Sequence, residues 1–98
     1  MNKLKNDIIL IDIDDNVGTA IRKLNNGEKV ISISPDGKKQ KITILENIPA
    51  YHKISMKDIK KNDKIIKYGF SIGKSIIDIK KGMHVHIHNI VTNQDNNE

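Results

Sequence analysis

Three of the four histidines stand two residues apart near the C-terminal end, in Gly82-Met83-His84-Val85-His86-Ile87-His88-Asn89. Read as a β-strand, the segment sends successive side chains to opposite faces. His84, His86 and His88 then share one face, and Val85 and Ile87 the other. The apolar face meets a core; the imidazole face meets solvent, a metal, an anion or a partner. Neutral imidazole is a good ligand for divalent transition metals. At a rise of ~3.3 Å per residue, three such histidines span ~13 Å. One ion therefore reaches two of them and needs a third group, from His52 or elsewhere. The plainer reading is a surface strand whose polar residues are histidines.

His52 is followed by Lys53. A lysine beside imidazoles or a metal can have its pKa lowered and act as a base, although most lysines are simply solvated. Lys67-Tyr68-Gly69 offers a cation and a phenol, with Tyr68 read as a core or rim aromatic. Asp14 and Asp15 are accounted for by helix capping. No Gly-rich phosphate loop, GxSxG or HExxH occurs. Gly73-Lys74-Ser75 lacks the upstream glycine and following helix of a P-loop.

The elements that must position these groups are mostly strands. Ile8-Ile9-Leu10-Ile11 reads as a buried strand. Val17, Ala20, Ile21 and Leu24 fall at helical spacing after Asp14-Asp15-Asn16, which predicts a short amphipathic helix ending at Gly27. Val30–Ser34 and Lys41–Leu45 flank Pro35-Asp36-Gly37 and predict a hairpin. Ser55-Met56-Lys57-Asp58 suits a single helical turn. Ile65–Gly69 and Phe70–Ser75 read as further strands.

A seven-residue unit recurs four times: Leu24–Val30, Ile48–Ile54, Ile59–Ile65 and Ile79–Val85. An aliphatic residue opens each copy, a turn position follows at the fourth place, and a second aliphatic closes it on a strand. The turn residues are Gly27, Tyr51, Asn62 and Gly82. Glycine and asparagine accept positive φ; tyrosine does not, so the second copy is expected to turn differently. The unit is too short for a solenoid and indicates a small, mostly-β fold.

Composition narrows the function. Ninety-eight residues make one domain, assigned to residues 1–91, with a disordered tail over residues 92–98. With one Phe, two Tyr and no Trp, isoleucine carries the core volume. The absence of Cys excludes disulfides and thiolate metal sites. No apolar run approaches the ~20 residues of a membrane span, and the polar N-terminus lacks a signal-peptide core, so a cytoplasmic protein is expected. The net charge of +5 is almost all lysine, spread along the chain, with Arg22 the single arginine. Little Arg or aromatic content is available for base stacking, so nucleic acid is not expected as the main partner.

Three co-linear segments, Ile48-Pro49-Ala50-Tyr51-His52-Lys53-Ile54, Ile66-Lys67-Tyr68-Gly69 with Ile72-Gly73, and Gly82–Asn89, carry a resemblance, as does Asp14-Asp15-Asn16-Val17. From about Ile8 to Ile90 the chain resembles the N-terminal SAF domain of the altronate and galactarate dehydratase family, which also occurs as the small subunit of (2R)-sulfolactate sulfo-lyase. The resemblance implies a β-clip fold, mostly antiparallel β with one or two short helices. It implies a lyase subunit acting on anionic sugar acids or sulfolactate, with a divalent metal, Fe²⁺ or alternatively Mn²⁺. Because the chain stops after the histidine row, a large catalytic subunit is expected from another polypeptide, and an oligomer is compatible with this.

His52 and Lys53 match the family's Pro-x-x-His-Lys motif and are the implied catalytic pair. His86, His88 and Asn89 match its His-x-His-Asn motif. The implied metal ligands are His86, His88 and His52, with His84, on the variable position, ranked below them. Asn89, Lys67 and Tyr68 are the implied substrate contacts. Met83 and Asn62 stand where the family usually has Glu and Gly, which bears on turn geometry. The alternative is a non-catalytic module that binds a carbohydrate acid or a protein.

Overall fold

The computed structural model describes residues 6–92. Nine strands occur there: β1 (Ile8–Ile9), β2 (Val17–Ala20), β3 (Lys29–Ile33), β4 (Lys39–Thr43), β5 (Lys53–Ser55), β6 (Lys64–Lys67), β7 (Phe70–Ser75), β8 (His84–Val85) and β9 (Ile90–Thr92). They form a six-stranded sheet in the order β4-β3-β1-β2-β5-β8 and a three-stranded sheet in the order β6-β7-β9. All pairings are antiparallel except β1 with β3. The mostly-β expectation is met, and the hairpin around Pro35-Asp36-Gly37 is β3–β4.

The expected helices are absent among the described residues. Val17–Ala20 is a strand paired on both edges, with β1 and β5. Val17, Gly18 and Ala20 are all buried, so the segment lacks the period-two exposure that marks a half-buried strand. Packing here is tight: a Cβ on Gly18 would stand 2.5 Å from Ile8 Cγ2. Met56 and Lys57 form a bend, with Ser55 Oγ donating to the Lys57 carbonyl. Thr92, expected in the tail, belongs to β9; the rest of that tail lies outside the described residues.

The recurring unit is the plan of the fold. Both aliphatic positions of all four copies are at most 2% exposed. The copies associate in pairs through short bridges, Leu24 with Ile48 and Ile59 with Ile79, each closed by two backbone hydrogen bonds of 2.7–2.9 Å. Leu24, Val30, Ile48 and Ile54 pack in one apolar cluster. Ile59, Ile65, Ile79 and Val85 pack in a second. All four turn residues have positive φ, between 70° and 95°. The second copy therefore turns like the others: the shared hydrogen-bonded frame holds Tyr51 at φ 70° despite a cost of ~1–2 kcal/mol for an L-residue there.

Candidate imidazole site

The candidate side chains gather where the second and fourth copies of the unit meet. β5 and β8 pair with Lys53 opposite Val85 and Ile54 opposite His84. Continued by one residue, that register sets His52 opposite His86. Directly opposed antiparallel residues bring their side chains together on one face. The rings obey: His52 and His86 stack with centroids 4.3 Å apart, and His52 and His84 at 5.0 Å. His52 Nδ1 lies 2.9 Å from His84 Nε2. One ligand atom from each of His52, His84 and His86 falls within 4.8 Å of the other two. Two imidazole nitrogens sharing an ion at ~2.1 Å stand roughly 3 Å apart, so this donor set suits a first-row divalent metal.

The histidine row differs from its expected form. Only His84 and Val85 are strand; a bend and turn follow through Asn89. The turn shortens the row, so His84 and His86 come within 5.6 Å between centroids and both reach His52. His88 lies tilted against His84, with centroids 5.1 Å apart, and stands outside the three-nitrogen group. His84, ranked lowest from its place in the motif, is inside it. Ile87, expected to face a core, is 79% exposed at the turn.

Asn89 explains why the turn holds. It is 1% exposed. Its Nδ2 donates to the His84 carbonyl at 2.8 Å, and its Oδ1 accepts from the His86 amide at 2.9 Å. The side chain thus acts as a missing strand for two imidazole-bearing residues, and both its polar atoms face backbone. Asn16 makes the same pair of bonds to the Lys64 carbonyl and the Ile66 amide, the corresponding positions of the third copy. Glu46 adds a brace, accepting from the His84 amide at 3.1 Å. Glu46 carries no local sequence signal, because its contact spans 38 residues, whereas the Asn89 contacts close within five.

Pro49 explains why His52 is available. In each copy the fifth residue's amide donates to the second residue's carbonyl at 2.9–3.1 Å. In three copies the fifth side chain also closes the turn by accepting the second residue's amide: Glu28 from Asn25 at 2.8 Å, Asp63 from Lys60 at 3.2 Å and Met83 Sδ from Lys80 at 3.2 Å. In the remaining copy the second residue is Pro49, which has no N–H. The fifth side chain, His52, has no turn donor to accept and projects to the other imidazoles.

The site's electrostatics favour the uncharged forms of His84, His86 and Lys53. The His84 pKa is lowered by partial desolvation and by the neighbouring His88, His52 and His86, against attraction from Glu46. That of His86 is lowered by partial desolvation and by His52, Lys53 and His88. The Lys53 ammonium titrates below the ordinary lysine value through partial burial and the positive charge of Lys67. Lys67 Nζ in turn lies 4.3 Å from the centroid of the Tyr68 ring, within cation–π range. Tyr68 is half exposed at φ 56° and so is a rim residue. Asp15, expected to cap a helix, is buried and accepts from the Asp12 and Gly69 amides, tying this turn to the β1–β2 loop.

Residues 6–93 match the altronate/galactarate dehydratase SAF domain. The chain belongs to that family. It is 40% identical over 85 residues to altronate dehydratase of Bacillus subtilis, covering 87% of this chain but 16% of that protein. It is 27% identical over 88 residues to (2R)-sulfolactate sulfo-lyase subunit alpha of Chromohalobacter salexigens, covering 88% of this chain and 94% of that subunit. The corresponding subunit of Paracoccus pantotrophus is 38% identical over 60 residues, 61% of this chain and 90% of that one. The SAF unit thus spans about one-sixth of the dehydratases it resembles and nearly all of the sulfo-lyase alpha subunits. No helix among the described residues is long and apolar enough to cross a membrane.

Proposed function

We propose that this SAF unit serves a lyase that eliminates water, or sulfite, from the carbon β to a carboxylate, together with a separate large catalytic polypeptide. The observation that supports this reading is the convergence of His52, His84 and His86 beside Lys53. These three imidazoles would hold a divalent ion, Fe²⁺ or Mn²⁺, which supplies Lewis-acid stabilisation for charge gathered on the substrate carboxylate. The elimination itself takes a proton from the α carbon and releases the leaving group with its electron pair from the β carbon. Lys53 Nζ receives the proton; its lowered pKa enlarges the neutral fraction able to do so. Lys67, steadied over Tyr68, pairs with a carboxylate of the anionic substrate. Asn89 acts through the backbone of His84 and His86 rather than by touching substrate.

The test is reconstitution with a large catalytic polypeptide of the altronate/galactarate dehydratase family, assaying altronate, galactarate and (2R)-sulfolactate with Fe²⁺ or Mn²⁺. One of the three is expected to turn over. The His52→Ala, His86→Ala double variant should lose at least ~100-fold, more than an outer contact of a metal ligand contributes. Undiminished turnover in that variant would contradict the assignment.

A further inference from the structure

The inner face of the β3–β4 hairpin changes character along its length. Val30 and Ile42, paired in register, are buried core. The next pair on the same face is Ser32 with Gln40, followed toward the turn by Ser34 and Lys38. Ser32 is 1% exposed, and its hydroxyl has no hydrogen-bond partner. An unsatisfied buried hydroxyl costs roughly 1–3 kcal/mol, so a polar group there asks for an occupant.

Beside it lies a cleft of about 450 Å³, walled by Ser32, Ser34, Lys38, Lys39 and Gln40 on the hairpin and by Lys57 across from them. Its apolar side is Leu10, Ile13 and Met56. The volume is in the range of small-molecule sites. Two carboxylates border the cleft, and both are engaged: Asp15 by the amides of Asp12 and Gly69, Asp36 by Ser34 Oγ and the Lys38 amide. By contrast, Lys38, Lys39 and Lys57 form no ion pair among the described residues, although the charge of Lys38 acts on the nearby Asp36. The uncommitted groups are therefore donors and cations over an apolar floor. None of the imidazole-site residues lines the cleft.

We propose that this cleft is a second binding site, for a small organic acid whose carboxylate meets the lysines and Ser32 Oγ and whose aliphatic body covers Leu10, Ile13 and Met56. The assignment does not depend on the lyase reading.

Adipate, a diacid with an aliphatic body, is the probe, titrated into the isotope-labelled full chain at low salt and followed by amide chemical shifts. Saturable shifts are expected at Ser32, Ser34, Gln40 and Lys57, with His52, His84 and His86 unmoved. Ser32→Ala should leave thermal stability unchanged or raised, since its hydroxyl has no partner to lose. It should weaken adipate by about five- to tenfold, one hydrogen bond's worth. Lys38→Gln with Lys57→Gln should weaken it by about tenfold or more. Hexane-1,6-diol, uncharged and equally long, should not bind. Galactarate, the hydroxylated diacid of the same length, should bind more weakly because its hydroxyls would face the apolar floor. Absence of saturable shifts, shifts confined to the imidazole site, or Ser32→Ala binding adipate as tightly as wild type would overturn the proposal. Tighter binding of galactarate or equal binding of the diol would overturn the assigned ligand class.

Discussion

The first and second copies of the recurring unit are joined by the Leu24–Ile48 bridge and pack in one cluster, yet they put their fifth residues to different uses. Glu28 turns back and accepts the Asn25 amide. His52 has Pro49 where that donor would stand and reaches across to His84 and His86 instead. The fold is otherwise the same in both: positive φ at the fourth position, the same backbone bond, the same buried aliphatics. One missing N–H separates a turn that closes on itself from a turn that offers a ligand. The third and fourth copies make a second contrast. Asn16 and Asn89 brace equivalent backbone groups, but only the fourth copy carries imidazoles there.

The asparagine contrast gives the largest effect. Asn89→Ala leaves the part-buried His84 carbonyl and His86 amide unpaired and should destabilise the fold by roughly 1–3 kcal/mol, measured by urea unfolding. Asn16→Ala, at the more exposed equivalent, should cost less. Only Asn89→Ala should also loosen the imidazole loop, seen as broadened His84 and His86 amide resonances. Equal costs with the loop unchanged would show that the two braces serve the fold alone.

Pro49→Ala sharpens the contrast between copies. It restores the second-position N–H, giving His52 the partner that Glu28 has. A captured hydrogen bond worth ~1 kcal/mol should weaken divalent-metal binding about fivefold with little change in melting temperature. Metal affinity equal to wild type would mean that the missing donor is not what frees His52.

The smallest effect is in pH. Lowered pKa values at His84 and His86 mean that the unfolded chain binds more protons near and below the ordinary histidine value of 6.5. Stability should therefore decline as pH falls from above 6.5 toward the folded values. Glu28 is shifted the other way, its pKa lowered from 4.5 chiefly by the Asn25 amide. Its contribution is present above 4.5 and is lost as pH falls through the folded value. Thermal melts across this range should show a decline at the higher pH that disappears in the His84→Ala, His86→Ala variant, leaving the acid-range decline in place. A decline near 6.5 that persists in the variant would assign it to other groups.

Much of this was legible from local pattern. The spacing of Leu24, Ile48, Ile59 and Ile79 ahead of their turns marks core positions, and Gly27, Asn62 and Gly82 advertise positive φ. Tyr51 does not, because its φ is imposed by the shared frame of hydrogen bonds rather than by its own preference. The segment Val17–Ala20 misleads for a related reason. Its apolar spacing fits a helix, but pairing with β1 and β5 on both edges decides the matter. At the site, the involvement of His52 with the histidine row follows from residue type, whereas the choice of His84 over His88 follows from where the strand ends. Strand ends are set by Asn89 and Glu46, whose contacts close across 5 and 38 residues of chain.

Direct titration with Mn²⁺, followed by its paramagnetic resonance, tests the central claim that three imidazoles from two copies of one unit make a single ligand set. One ion per chain is predicted, with binding lost to a similar degree in His52→Ala, His84→Ala and His86→Ala and retained in His88→Ala. Retention of binding in His52→Ala, or its loss in His88→Ala, would contradict the account.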